Sequence, residues 1–309
     1  MIRRAPLFAV AVAVSAAALL AACATRAPAP PAADAPAAAL TPATILRPVE
    51  RVEPGQFAFQ GALTQGGLAI GQAPPGARAV LFDGVPVPLA ADGRFLIGFG
   101  RDAPAAATID ALLPDNRRAH QTLTITARGW QIERIPQLRQ PSPGIPPDPA
   151  AIARRAAEVA AFRAARAHSS DLMNWTERFI RPATGRVSGV YGSQRILGGV
   201  PMSPHLGLDI ARPAGTPVVA PAGGIVTLAS PPAFMLEGNM VFIDHGHGLT
   251  SILMHLSRVD VRVGQRVRQG DVIGAVGMTG RATGPHLHWA MNWGEVKIDP
   301  QLLVTPQPH

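Results

Sequence analysis

The chain has 309 residues, of which 47% are apolar and only 16% charged, a balance that excludes a disordered polyelectrolyte and allows more than one buried core. Lys and Arg number 28 against 20 Asp and Glu, a formal charge of +8. The basic residues are nearly all Arg and are scattered, which argues against a nucleic-acid module and is compatible with an anionic polymer as partner.

In chain order, Arg3 and Arg4 precede an apolar Ala/Val/Leu run over 6–22. That pattern reads as a secretory signal over residues 1–22. The run is short for a membrane-spanning helix, which needs about 20 apolar residues. It ends in Leu20-Ala21-Ala22-Cys23, and Cys23 is the only cysteine, so no intramolecular disulfide can form. A lone thiol in an oxidising compartment is a liability unless it is capped. Residues 23–47 follow, rich in Ala and Pro. They cannot bury a core and are expected to be an extended tether, reaching about 60 Å at ~3.1 Å per residue.

Residues 48–135 contain strand-like runs at 78–82, 85–89, 94–99 and 122–126. Asp83-Gly84 and Asp92-Gly93 between them are strong hairpin signals. The expectation is a small β-sandwich accessory domain. It shows no cluster of catalytic residue types, so its role is open between spacer, partner binding and substrate positioning, the spacer being the plain reading. Residues 136–181 begin Pro-rich, and Asp148 then Pro149 makes a good helix start. An Ala/Arg-rich helix is expected over 150–167, either a connector or a cover for a neighbouring groove.

The informative chemistry lies in 182–305. His205-Leu206-Gly207-Leu208-Asp209 and His286-Leu287-His288 each carry ligand types at alternating positions. If both are extended, His205, Gly207 and Asp209 share one face, and so do His286 and His288. Gly207 then removes a side chain that would crowd a metal. Another alternating run, 251–256, isolates His255 among apolar residues. Four histidines and one aspartate exceed what three-ligand binding needs; a catalytic zinc keeps an open position for water and a nearby group to take its proton. His245 and His247, spaced by glycines, read better as a turn than as ligands. His120, His168 and His309 have no chemical company.

These residues resemble the LytM/lysostaphin-type zinc metallopeptidases, which cut peptide cross-links in bacterial cell walls. The likeness covers about 182–305. It runs through His205 to Asp209, Gly215-Thr216-Pro217-Val218, Ile243-Asp244-His245-Gly246, His255-Leu256, Thr283-Gly284-Pro285-His286-Leu287-His288 and Asp299-Pro300. It implies Zn2+ held by His205, Asp209 and His288, with His255 and His286 flanking the bound water and the scissile carbonyl as catalytic residues. It implies a mainly β fold: an antiparallel β-barrel-like sandwich of the duplicated hybrid-motif type, here preceded by the small β-sandwich and the connecting helix. Short β-rich runs at 217–221, 224–228, 240–244, 249–256 and 271–276 agree with it. Leu253 stands where the family often has Tyr, and Met254 replaces a usual small residue; both departures point at the groove wall and so at substrate preference.

The Leu-Ala-Ala-Cys order likewise resembles a lipoprotein lipobox. It implies lipidation of Cys23, a membrane anchor and a periplasm-facing enzyme; Ala24, rather than Asp, favours the outer membrane. The expected function is a zinc endopeptidase acting on peptidoglycan stem peptides. The alternative is a non-enzymatic lipoprotein that binds the wall or activates an amidase, and the complete ligand set argues against it. The sequence leaves the roles of His255 and His286 open between them.

Overall fold

The computed structural model describes residues 52–54, 57–136 and 148–304. The signal, Cys23, the tether and most of the Pro-rich linker lie outside them. Among the described residues the chain is mainly β, with a single α-helix.

The accessory region forms two facing sheets. One has five strands in the order Val52–Pro54, Arg118–Thr124, Ala106–Leu112, Ala79–Phe82 and Val85–Val87; the other has Ala58–Gly61, Leu68–Gln72 and Arg94–Gly98. Val80, Phe95, Ile97, Ile109 and Leu123 fill the space between them. The Asp83-Gly84 hairpin forms as its dipeptide predicts: φ is 47° at Asp83 and 78° at Gly84, so both turn residues are left-handed and their twist matches the flanking strands. The Ala106–Leu112 strand, Ala-rich and so poor in β-branched and aromatic residues, has no counterpart among the predicted runs.

The C-terminal region is built on an eight-stranded antiparallel sheet. Its order is Arg186–Gly189, Leu208–Ala211, His286–Trp293, Leu249–Leu256, Asn239–Gly246, Gly224–Ala229 and Arg266–Val267, with Val296–Ile298 also paired to His286–Trp293. The sheet stays open rather than closing into a barrel. A smaller sheet of Pro217–Val219, Val272–Ala275 and Arg258–Val259 packs on one face. Alternation sends Leu208 and Ile210, Leu287 and Trp289, and Leu253 to that face, all fully buried with Val218 and Ile273. Each such side chain contributes about 1.5–3 kcal/mol by leaving water. Asp209, His286 and His288 therefore emerge on the opposite face.

That opposite face is shared with the helix α1 (Pro149–Ala167). The Asp148 side chain accepts the Ala151 N–H at 2.9 Å and caps it, with Pro149 at the first turn. Phe162 and Ala165 of α1 pack over Phe242, Ile252 and Ala290, the part of the sheet face next to the histidines. The helix also braces the loop after Gly224–Ala229. The Arg155 guanidinium makes a bidentate pair with Glu237 at 2.7 and 2.8 Å, and buried Glu158 accepts the Met235 N–H at 2.9 Å.

The described residues fall in one compact unit. Ile132–Ile135 pairs in parallel with Gln194–Leu197, and Leu68 and Leu96 join the same apolar cluster as Trp289 and Ile298. Trp130 stacks between Arg101 and Arg128, whose guanidinium carbons lie 5.2 and 4.8 Å from its ring centre. It packs so closely on Gly192 that a Cβ there would stand 2.0 Å from the indole.

Candidate metal centre and catalytic groove

Three of the predicted site residues meet at one point. His205 Nε2 lies 3.1 Å from Asp209 Oδ1 and 3.1 Å from His288 Nδ1, and His288 Nδ1 lies 2.8 Å from Asp209 Oδ1. His288 and Asp209 are directly opposite in the pairing of Leu208–Ala211 with His286–Trp293, which brings ligands 79 positions apart into contact. His205 does not belong to that strand, contrary to an extended reading of 205–209: it precedes it in a loop. It is held there by three bonds: its Nδ1–H donates to Val190 O at 3.0 Å, its N–H donates to Ser193 O at 2.8 Å, and its carbonyl accepts the Gly192 N–H at 2.7 Å. Because Nδ1 carries the proton, Nε2 presents its lone pair to Asp209 and His288.

The glycines here make room for ligands. A Cβ at Gly207 would lie 2.5 Å from His288 Nε2, so Gly207 admits the imidazole rather than clearing space around a metal. Gly189, which the sequence did not single out, plays the same part for the carboxylate: a Cβ would lie 2.3 Å from Asp209 Oδ2.

His255 and His286 stand beside this triad, their ring centres 4.8 Å apart. His286 Nε2 is 3.8 Å from Asp209 Oδ1. Each donates Nδ1–H to a carbonyl at 2.8 Å, His255 to Thr279 O and His286 to Gly284 O, which leaves both Nε2 atoms as lone-pair acceptors. Strict alternation would send His255 to the core face with Leu253. The pairing instead slips between Asn239–Leu256 and Val241–Leu253, and His255 takes a φ of 63°. This bulge in the left-handed region re-aims the ring toward His286 and costs about 1–3 kcal/mol of local strain.

With this constellation in view, the comparisons with known proteins are decisive. Residues 203–300 match the model of peptidase family M23. The chain carries an M23 peptidase domain. It is 34% identical over 134 residues to the peptidoglycan DD-endopeptidase ShyC of Vibrio cholerae, covering 43% of this chain and 27% of that protein. It is 41% identical over 104 residues to the DD-carboxypeptidase/endopeptidase Mpg of Neisseria meningitidis, covering 34% and 24% respectively. The chain thus spans about a quarter of the length of these curated relatives. A crystal structure from Pseudomonas aeruginosa assigned to peptidase M23 superposes with a TM-score of 0.60 at 28% identity, covering 79% of this chain and 96% of that one.

The donor set of the M23 domain suits zinc. A tetrahedral ion ~2.0–2.1 Å from each ligand sets neighbouring ligands roughly 3.3 Å apart, close to the spacings found here. Among the described residues this is the one group of His, Cys, Asp and Glu with converging ligand atoms. Three Lewis-basic atoms crowd a single point, an arrangement a divalent cation neutralises. Burial opposes ionisation of Asp209, but the adjoining His205 and His288 rings, when protonated, outweigh it and hold the carboxyl well below the usual carboxylate range, a service a cation between the three would perform instead. Burial likewise pushes the His205 imidazole down, yet the hydrogen bond and charge of Asp209 leave it raised overall. His288 ends lowered by burial despite the same carboxylate. Burial, reinforced by the charges of His286 and His288, lowers His255 to about 4, so it is unprotonated at neutral pH.

A cavity of about 190 Å3 adjoins the histidines, lined by Leu236, Glu237, Met254, His255, Arg281 and His288. Met254 therefore does wall the groove. Leu253 does not: it is fully buried on the core face and cannot touch substrate, which corrects the expectation drawn from its departure. A larger cavity of about 460 Å3, lined by residues such as Asn174, Arg266 and Asp271, contains none of the M23 histidines. His245 and His247 stay outside the centre. His245 is buried, donating Nδ1–H to Gly223 O at 2.7 Å and accepting from Ser251 Oγ at 2.8 Å; His247 packs on Trp175 in a left-handed turn at φ 50°.

Proposed function

We propose that the protein is a zinc-dependent endopeptidase that hydrolyses peptide cross-links of peptidoglycan. The observation that carries this reading is the converging His205–Asp209–His288 set with the His255 and His286 rings beside it, each held by an Nδ1–H bond to a carbonyl. The names of the relatives, DD-endopeptidase and DD-carboxypeptidase/endopeptidase, support a link in the stem peptides as the substrate. A zinc ion bound by His205, Asp209 and His288 would supply a water acidified to a pKa near 7 and polarise the scissile carbonyl.

The chain's own residues do the rest. His205 presents its Nε2 lone pair because its Nδ1–H is held by the Val190 carbonyl, His288 offers Nδ1 beside it, and Asp209 stays ionised to complete the set. As the water oxygen bonds to the carbonyl carbon, one of His255 and His286 takes its proton at Nε2. That imidazolium then delivers the same proton to the leaving amine as the C–N bond breaks, while the other histidine would hold the oxyanion through Nε2–H when it is itself protonated. Their Nδ1–H bonds to Thr279 and Gly284 keep both rings aimed through this exchange.

The envelope location follows from Leu20-Ala21-Ala22-Cys23: the mature protein is lipidated on Cys23, faces the periplasm from the outer membrane, and reaches the wall on its tether. Among the described residues no helix is long and apolar enough to cross a membrane. A Cys23→Ser variant found in the soluble rather than the membrane fraction is the expected result.

The activity is tested with a soluble form lacking residues 1–23, incubated with purified cross-linked muropeptides with and without a chelator, the products resolved by mass spectrometry. Dimers are expected to become monomers only when metal is present. Intact dimers with zinc bound would overturn the endopeptidase reading; intact dimers without zinc would favour a non-catalytic wall-binding or activating role.

A further inference from the structure

The 190 Å3 cavity beside the histidines has one free charge. Of its two charged lining residues, Glu237 is neutralised by its bidentate pair with Arg155 at 2.7 and 2.8 Å. Arg281 is exposed, and among the described residues its guanidinium makes no hydrogen bond, ion pair or ring contact. Its backbone, by contrast, is firmly placed. The Arg281 N–H donates to Leu236 O at 2.8 Å, and the preceding Gly280 packs so tightly that a Cβ would lie 2.3 Å from Gly238 N. The same loop fixes His255, whose N–H donates to Glu237 O at 3.0 Å. Arg281 and His255 are thus carried by one braced unit, with apolar Leu236 and Met254 as the remaining walls. A cationic fork with unused donors beside an apolar lining is a recognition site for a small residue bearing a carboxylate.

Resting on the endopeptidase reading above, we propose that this cavity receives the leaving-side residue of the cleaved link and that Arg281 binds its free carboxylate. A stem-peptide link whose leaving-side carbon carries both the scissile nitrogen and a free carboxylate fits the geometry, since the anion then lies two bonds from the bond being broken. A terminal D-alanine presents the same group in the same place. Arg281 is on this account a specificity-determining residue, reading the carboxylate while His255 and His286 handle protons.

The test compares zinc-loaded wild type, Arg281→Ala and Arg281→Lys on two substrates: a cross-linked stem-peptide dimer with that carboxylate free, and the same dimer with it amidated. Wild type is expected to prefer the free acid by about 10- to 100-fold in kcat/KM, the range of a charge-assisted bidentate contact. Arg281→Ala is expected to lose that preference, mainly through KM, with zinc content unchanged, and Arg281→Lys to keep part of it. Wild type that cleaves both substrates equally would overturn the inference while leaving the endopeptidase reading intact. So would an Arg281→Ala variant that slows both by one factor, since Arg281 would then act on something other than the carboxylate. Cleavage of neither substrate by the zinc-loaded wild type would overturn the endopeptidase reading itself. Should Arg281→Ala fail to fold, the acid-to-amide ratio of the wild type and of Arg281→Lys decides the matter.

Discussion

Asp209 has two neighbours of different kinds, and substitution separates them. His205→Ala, Asp209→Ala and His288→Ala each remove a donor from the converging set, so purified protein is expected to hold well under one zinc per chain and to show no turnover. His255→Ala and His286→Ala leave the set intact, so zinc content is expected to hold while kcat falls by about 10²- to 10⁴-fold, the usual weight of general acid–base catalysis. Metal analysis beside a muropeptide assay distinguishes the two classes; zinc loss in His255→Ala would count against the division. His245 offers a different measurement. Burial lowers its pKa to about 4, against about 6.5 for the unfolded residue. Above pH ~6.5 neither state binds the proton and nothing is lost. As pH falls from 6.5 toward 4 the unfolded state protonates and the folded state does not, so stability declines by about 3 kcal/mol from this group. His245→Gln, which keeps a hydrogen-bonding side chain without titrating, is expected to show a slope shallower by up to one proton in that window, measured by denaturant unfolding at several pH values.

At the scale of elements, Glu158 of α1 is the hinge pin of the groove wall. It is buried and accepts from Arg154 at 3.0 Å, from Arg155 at 3.3 Å and from the Met235 N–H at 2.9 Å. Glu158→Ala strands that N–H and releases two guanidinium groups, at about 2–3 kcal/mol. Hydrogen exchange is expected to quicken first across 233–238; uniform protection there in the variant would argue against bracing by the helix. Much of the element structure was legible in the sequence. Asp148-Pro149 marked the start of α1, Asp83-Gly84 marked its hairpin, and the 249–256 run matched its strand end to end. The ligand types announced themselves because His and Asp at alternating positions are rare in apolar strands. What escaped was what depends on a partner strand. The turn of His255 out of its alternation is a register slip against Asn239–Gly246, and nothing local in 251–256 encodes it. The service of Gly189 and Gly207 to ligands from elsewhere, and the burial of Leu253 away from the groove, exist only once the sheet is assembled.

Across the whole molecule the accessory sandwich and the M23 domain are joined by Trp130, Arg101 and the parallel pairing of Ile132–Ile135 with Gln194–Leu197. Arg101 Nε donates to Gly192 O at 3.0 Å, and Gly192 in turn donates its N–H to the His205 carbonyl. Trp130→Ala is therefore expected to destabilise the chain by at least ~2 kcal/mol and to weaken zinc affinity together with it. Calorimetry of the full chain is expected to show one transition for residues 48–304; two separated transitions would mean that the shared apolar cluster does not couple the halves. The sequence did not disclose this union, since residues 48–135 read as a separate domain and only packing puts Leu68 and Leu96 in the other cluster.

The position of His286–Trp293 has a consequence in time. This strand is the last long one in the chain, yet it lies between Leu208–Ala211 and Leu249–Leu256, inserted into the middle of the sheet. Asp209 lies on one of those neighbours, with His205 in the loop just ahead of it, and His255 lies on the other, so the set is complete only once the final strand brings His286 and His288 into the gap. On the endopeptidase reading, a chain whose His286–Trp293 strand is not yet in place is therefore expected to hold the ion weakly and not to cut. On that reading activity would begin only once this late strand has inserted, a delay set by strand order itself.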